Sequence, residues 1–514
     1  MFDNIVILVY MISVLSVGVY YSRYNRNSTD YFLGGRKFGW ITIGLSLFIA
    51  NIVIEQFIGM SGLNNGNGIL AGYLEFLAAV LILLSIWVLM PVIFKSNIFT
   101  ISELFEQRFN PASRIYITSV TLIIFVITNL TISLYVGCFL LNKTMGWDMV
   151  TSGVVLIVVT GIYSITGGMK AVMYTGVLQA VILLSGLLML MFFGLGEAGD
   201  LNAILTRSET VFSIFHPLND PDLPWTGVFF ALPVLGIWYW YIDQFVAQRM
   251  IAAENIGQAR KGGFFAAGLK ISSIFLIAFP VIIAVSLFPE ISPDQAFVAL
   301  TMSHIIPFGI KGLVISGILA AVMSSIGHCF NGSSTLITMD FYRRLKPAAT
   351  EHALVLTGRL TSAFFALLAI IIVLLIRNLD FQMLKFLIIL YVYITPPVAA
   401  VFLLGVLWKS ISGPTALWTM ITGLAISLAR VLMIIMSNEI YSVSWLDWFV
   451  QINPLNYGLF LFAFSLLLMS VLTLTEKIRN YKKDNAPVAG FSEPETEEMS
   501  TGKKKSLGHL NSRI

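Results

Sequence analysis

A few ionisable residues stand inside otherwise apolar stretches: Glu55, Glu75, Asp243, Lys270, Lys385 and Arg430. On insertion scales a charge at the bilayer centre costs roughly 2.5–3.5 kcal/mol, so such residues persist where something offsets that cost. The stretch IANIVIEQFIGMSGLNNGNG, residues 49–68, begins like a membrane helix and then breaks into glycines. Asn51 and Glu55 stand at i and i+4 and share a helix face, with Gln56 beside them. Past Gln56 the glycines allow the backbone to unwind. Unwound backbone at membrane depth survives where it lines a cavity or is buried in protein. The chemistry this predicts is coordination: side chains and bare carbonyls presented to a solute. A contact of the small residues GMSG with a neighbouring helix is the alternative reading of the glycines alone.

The other polar residues extend the pattern. Glu75 lies within AGYLEFLAA and Lys270 within AAGLKISSIF, where it is the only basic residue of its apolar run. Lys270 sits too deep to snorkel easily, so an acid such as Glu75 or Glu55 is its expected partner. In WYWYID, 238–243, Tyr239 and Asp243 share a face. In LAAVMSSIGHCFNGSSTLITMDFYRR, 319–344, the adjacent Ser324 and Ser325 supply two hydroxyl oxygens. A hard monovalent cation needs several neutral oxygens, and two hydroxyls with the carbonyls of a nearby unwound helix provide them. His328 stands at i+4 from Ser324 and is read either as a satisfied core histidine or as a proton-titrating group.

These residues need a membrane framework to position them, and the composition supplies it. The chain has 514 residues, 57% hydrophobic and 11% charged, with a mean hydropathy of +0.86. About thirteen stretches reach the roughly 20 apolar residues that a spanning helix needs. They lie near 3–22, 39–61, 69–94, 114–141, 147–166, 171–196, 225–246, 263–288, 310–337, 355–376, 383–407, 413–436 and 454–475. The run 6–20 lacks a basic flank and a small-residue cleavage site, and reads as a retained first helix. Cys138 and Cys329 lie in apolar runs, which argues against a disulfide framework.

Lysine and arginine concentrate on one set of loops, with Arg23, Arg26, Arg36, Lys37, Lys95, Arg108, Arg114, Lys170, Arg249, Arg260, Lys261, Arg343, Arg344, Lys346, Arg359 and Lys409. The opposite loops carry little more than Lys143, Arg207, Lys311 and Arg377, and are acidic. The positive-inside rule then predicts a cytoplasmic C-terminus and an external N-terminus. With the first helix set aside, the next ten spans fall into two groups of five with opposite orientation, as in an inverted-repeat transporter.

Several motifs carry a family resemblance: DYFLGGR at 30–36, ANIVIEQFIGMSG at 50–62, YSITGGMKAVMYTGVLQ at 163–179, WYWYIDQFVAQRMIAA at 238–253, MSSIGHCFNGSSTLITMDFY at 323–342 and PPVAAVFLLGVLWK at 396–409. Together, and in this order, they resemble the sodium:solute symporters, most closely the sodium/sugar (glucose/galactose) branch. The resemblance implies an all-α, polytopic LeuT-type fold of five plus five inverted helices. One extra N-terminal helix (1–38 with its loop) precedes repeats at 39–224 and 225–410. Two further helices follow at 411–476, then a disordered basic tail at 477–514. It implies a co-transported sodium held by carbonyls of Ile49, Ile52 and Ala321 and by the hydroxyls of Ser324 and Ser325. It places solute contacts at Asn51, Glu55, Gln56, Glu75, Asn129 and Lys270, with Tyr239 as the inner aromatic gate.

Three departures from the branch bear on the substrate and on stoichiometry. A sugar-binding Gln position is Ile388 here, with Lys385 one turn earlier, and both are expected to line the solute site. An Asn near the gate is replaced by Gly236. The Asp of a Thr-Asp pair on the sodium exit route is replaced in Thr175-Gly176, and Gly327 and His328 stand where some relatives carry serines for an additional sodium. One sodium ion per cycle is therefore expected. The expected function is sodium-coupled import of a sugar or polyol across the cell membrane by alternating access. A sodium- or proton-coupled symporter of a sugar acid, carboxylate or amino acid is the alternative. A membrane-embedded enzyme is disfavoured: there is no adjacent acid pair before Glu497-Glu498, so no DDxxD-like metal motif. Nucleic acid is not an expected partner, and the sequence leaves monomer and homodimer open.

Overall fold

The structure is a computed structural model that describes residues 2–52, 68–199, 217–218, 220, 223–288, 290, 293–377, 381–440 and 449–484. The described residues are almost entirely helical, and the helices follow the predicted apolar stretches. The exception is a merger. The stretches expected at 147–166 and 171–196 form one Met149–Ala198 run broken at Gly168, whose φ of 54° and ψ of −148° suit only glycine. A Cβ there would lie 2.5 Å from the Tyr31 carbonyl oxygen.

Helix Ile310–Leu336, rich in Gly, Ala and Ser, lies at the centre. Of the most apolar stretch of the run Ile310–Leu345 that contains it, 89% is buried within the protein, against 22% for the peripheral Phe2–Ser22. Small side chains let neighbouring backbones approach: a Cβ on Gly317 would lie 2.8 Å from the Leu183 Cα. Helix Trp40–Ala50 and the kinked Met149–Ala198 both pack on it.

Hydropathy does not reveal where helices change pitch. π-helical turns occur at Phe125–Leu130, Gly227–Ala231, Trp238–Ile242 and Ile337–Tyr342. Such turns free backbone groups locally and are frequent at functional positions. Thr131 Oγ1 donates to the Val126 carbonyl at 2.9 Å, five residues back. At Asp243 the run Gly227–Ile242 ends, and Gln244–Ile251 departs at 42°. The Asp243 carboxylate caps the new segment by accepting from the Phe245 N–H at 2.9 Å. This capping role gives a local reason for an acid in WYWYID.

On the side of the basic loops, side-chain joints tie the helices together. The DYFLGGR segment turns through Gly34, Gly35 and Arg36 with φ of 61°, 75° and 51°. Asp30 pairs with Lys170 at 2.9 Å, which joins two of the quoted motifs. Arg114 contacts Glu103 at 3.0 Å, Glu106 at 2.7 Å and Asp340 at 2.6 Å. Asp340, 1% exposed, also accepts from Thr100 at 2.8 Å and Thr118 at 2.6 Å. Removing one partner of a buried ion pair is strongly destabilising. Asp340→Ala is expected to cost about 3 kcal/mol, since Arg114 keeps two other carboxylates. Thermal unfolding in detergent checks this, and a variant as stable as the parent would refute it.

The last helix, Pro454–Asp484, differs from expectation. It continues through residues 477–484, where a disordered tail is predicted. The segment TEKIRNYKKD is rich in good helix formers, and the apolar helix before it supplies the nucleus. Its 31 residues span about 46 Å, longer than the ~30 Å hydrocarbon core, so its end reaches beyond the bilayer.

Candidate ion and solute site

Helix Trp40–Ala50 stops where the sequence predicts a break. Asn51 has φ −106° and ψ 9°, and Ile52 is no longer helical. Asn51 itself closes the helix end. Its backbone N–H donates to the Phe48 carbonyl at 3.1 Å, and its Nδ2 donates to the Leu47 carbonyl at 2.6 Å. The Ile49 carbonyl belongs to the last turn, whose acceptors have no partner within the helix. Ile49, Asn51 and Ile52 are all buried. Asn51 Oδ1 is buried with no hydrogen-bond partner among the described residues. Glu55 and Gln56 lie outside the described residues.

The break is anchored by a buried ion pair. Lys270 Nζ lies 3.1 Å from Glu75, with the two side chains 2% and 1% exposed. Lys270 also donates to the Asn51 carbonyl at 2.5 Å, and Ser273 Oγ donates to Glu75 at 2.6 Å. A helix end, an acid and a base from three separate helices thus meet at one point. The expectation that Lys270 has an intramembrane acidic partner is met by Glu75.

The central helix, which packs on Trp40–Ala50, carries Ala321, Ser324 and Ser325. Ser325 Oγ donates to the Ala321 carbonyl at 3.1 Å, so these two predicted ligands are already adjacent. Ser324 is 2% exposed, and its hydroxyl has no hydrogen-bond partner among the described residues. A buried, unsatisfied hydroxyl costs free energy unless a ligand completes it. The oxygens here are neutral carbonyls and hydroxyls, a donor set that suits a hard monovalent cation.

A third group forms elsewhere. Asn129, on the Phe125–Leu130 π turn, accepts a hydrogen bond from the Tyr391 hydroxyl. Tyr391 lies on helix Phe381–Leu407, which also carries Lys385 and Ile388. The side chains of Lys385 and Ile388 are outside the described residues. Tyr239 is half-buried on the Trp238–Ile242 turn, edge-on to Trp240 at 5.2 Å, four residues before the bend.

Residues 31–423 match the profile of the Sodium:solute symporter family. The chain belongs to that family. Sodium/glucose cotransporter 4 of Danio rerio is 31% identical over 471 residues, covering 84% of this chain and 72% of that protein. Sodium/glucose cotransporter 1 of Oryctolagus cuniculus is 30% identical over 475 residues, covering 84% and 72%. The sodium/myo-inositol cotransporter of Homo sapiens is 31% identical over 480 residues, covering 84% and 67%. Among solved structures, a substrate-bound, outward-open Na+-coupled sialic acid symporter aligns with a TM-score of 0.79 at 20% identity, covering 92% of this chain and 98% of that one. A nucleobase-cation-symport-1 family transporter in a closed conformation aligns with a TM-score of 0.53 at 13% identity, covering 91% and 97%. The LeuT-type fold follows. The protein is a sodium-coupled symporter of a small-molecule solute in a membrane, and its relatives are transporters, not enzymes.

The symporter also uses residues that sequence reading missed. Ser273, three residues after Lys270, braces Glu75, and Tyr391 partners Asn129; both were detectable as polar residues on the right helix face. Arg249 requires a correction. Its charge is counted above with the basic loops, yet it is 0% exposed. The bend at Asp243 turns Gln244–Ile251 inward, and hydropathy alone cannot see that turn.

Gly236 explains one departure physically. A Cβ there would lie 2.2 Å from Leu81 Cδ1, so the Leu81 side chain fills the space. Gly236→Asn is expected to cost about 1–3 kcal/mol by overpacking, and Leu81→Ala in the same chain to recover most of it. Thermal unfolding of the two variants tests this; equal losses in both would refute it.

Proposed function

We propose that the symporter imports a monosaccharide or polyol with one sodium ion per cycle across the cell membrane. The observation that carries this reading is the buried Ser324 hydroxyl, without a hydrogen-bond partner among the described residues, on a central helix that packs on the helix ending at Asn51. Sodium would be held by carbonyls of Ile49, Ile52 and Ala321 and the hydroxyls of Ser324 and Ser325. The solute would contact Asn51, Glu55, Gln56, Glu75, Asn129 and Lys270, with Lys385 and Ile388 tuning selectivity and Tyr239 gating exit. The relatives named for glucose and myo-inositol support this solute class. The repeats would run 39–224 and 225–410, flanked by the N-terminal helix and the two C-terminal ones. The basic loops would face the cytoplasm, with the N-terminus outside.

Coupling would arise because sodium favours the state in which the broken helix is docked on the serine-bearing helix, where the solute contacts are aligned. One cation crossing ~100 mV releases about 2.3 kcal/mol, and a tenfold gradient about 1.4 kcal/mol. Together these support accumulation on the order of several hundredfold. His328 supports sodium over proton coupling. Its Nδ1 lies 2.7 Å from the Arg249 guanidinium and also faces the Ser324 carbonyl, so the ring is tied into the protein beside a fixed positive charge.

Uptake into proteoliposomes, with and without sodium, against competing monosaccharides, polyols and sugar acids tests the reading. Sodium-dependent uptake blocked by a sugar or polyol is expected. Uptake that follows pH and ignores sodium would overturn the ion assignment. Competition by sugar acids alone would favour the alternative suggested by Lys385.

A further inference from the structure

Arg249 has no role in the solute site, yet it is held with great care. Each guanidinium nitrogen has its own anchor. Nε donates to Ser46 Oγ at 3.0 Å, Nη1 to the Phe245 carbonyl at 2.5 Å, and Nη2 to His328 Nδ1 at 2.7 Å. The Phe245 ring lies 4.8 Å from the guanidinium carbon. No carboxylate comes within 4.0 Å of it among the described residues. Asp243, the acid of its own segment, uses Oδ1 to cap Phe245. Gly176 abuts Ser46 from the adjoining helix and brings no side chain. Among the described residues the positive charge is therefore buried without a carboxylate paired to it.

Its anchors make the position informative. Ser46 precedes Ile49 by three residues on helix Trp40–Ala50. His328 follows Ser324 by four on helix Ile310–Leu336. Arg249 thus bridges the two helices that carry the proposed sodium ligands, about one turn toward the basic loops from each. An ion leaving in that direction meets this bridge.

We propose that Arg249 is a fixed cation that seals the sodium path on the side of the basic loops and so prevents uncoupled sodium leak. The proposal rests on the sodium site described above. The seal works by charge and by geometry together. The guanidinium repels a cation while the bridge is intact, and the path opens only when the two helices separate in the loaded transport step. At an effective dielectric of ~20, two unit charges about 12 Å apart still repel enough to change a rate roughly tenfold. Sodium one turn away is closer than that. A leak of sodium without solute would dissipate the gradient that drives uptake, so a charged seal at this level serves coupling directly. Arg249 acts here as a positioning and barrier residue, not as a ligand.

The test compares solute-free flux of radiolabelled sodium into proteoliposomes for the parent chain, Arg249→Gln and Arg249→Lys. Arg249→Gln is expected to raise this flux about tenfold. Arg249→Lys keeps the charge but not the three-anchor fork, and is expected to leak more than the parent and less than Arg249→Gln. Parental flux in Arg249→Gln, or equal leak in the Gln and Lys variants, would overturn the proposal. If Arg249→Gln does not fold, the double variant Ser46→Ala, His328→Ala replaces it. That variant keeps the charge but frees two anchors, and raised solute-free flux is expected; unchanged flux overturns the proposal. Binding of radiolabelled sodium to the purified parent chain separates the two readings. No binding would sink the sodium site itself, whereas binding without leak in the variants would sink the role of Arg249 alone.

Discussion

Lys270→Met is expected to abolish solute uptake and to lower stability by about 3–5 kcal/mol. The magnitude follows from what the side chain leaves behind. Glu75 is 0% exposed, and loss of Lys270 removes the cation that balances its buried charge. The Asn51 carbonyl would lose its 2.5 Å donor at the point where the helix breaks. Glu75→Met should be destabilising for the mirror-image reason. The double variant Lys270→Met, Glu75→Met is the informative one. Replacing both members of a buried pair with apolar groups is often neutral, so most of the stability should return. Uptake should not return, because the carbonyl of Asn51 still lacks its donor and the proposed solute contacts still lack their charges. Thermal unfolding and uptake measured on the same preparations check both halves. A double variant that transports with parental kinetics would make the pair purely structural.

This pair also marks how far the sequence reaches. The cost of a lone charge in an apolar run is a local property, so Lys270 and Glu75 announce themselves, and economy then predicts that they meet. The break after Asn51 is equally local, because amides and glycines stand in a row there. The helices themselves follow from apolar length. What sequence could not reveal is direction. Arg249 reads as a loop charge because it follows an apolar run and sits in QFVAQRMIAA, among residues of mixed polarity. Its burial depends on a 42° bend set by Asp243, and the bend depends on a cap whose acceptor has to be seen in three dimensions. The π turns are hidden for a similar reason. They change the pitch of the helix without changing the residues that compose it, so Asn129 and Tyr239 carry no local sign of the turns that hold them. Gly236 shows the same limit in another form: its meaning lies in Leu81, a residue 155 positions away in the chain.

Ser324→Ala is expected to separate ion binding from folding. The Ser324 hydroxyl is buried and has no hydrogen-bond partner among the described residues, so its loss breaks no hydrogen bond among them. Stability should stay level or rise slightly, because an unsatisfied polar group disappears. The sodium concentration for half-maximal uptake should rise about tenfold or more, equivalent to roughly 1.4 kcal/mol or above. Ser325→Ala should behave differently. Its hydroxyl already donates to the Ala321 carbonyl at 3.1 Å, so its removal also frees that acceptor. A loss of about 1 kcal/mol in stability is expected alongside the weaker sodium dependence. The contrast is diagnostic. If the pair of serines serves only helix packing, Ser325→Ala changes stability and neither variant changes the sodium requirement. If the pair holds the ion, both variants shift that requirement, and Ser324→Ala does so in a protein as stable as the parent. Sodium titrations of uptake and of thermal stability on the two variants distinguish these outcomes. Sodium should raise the unfolding temperature of the parent chain, because a ligand that binds only the folded state stabilises it by mass action. That rise should be the first property lost in Ser324→Ala.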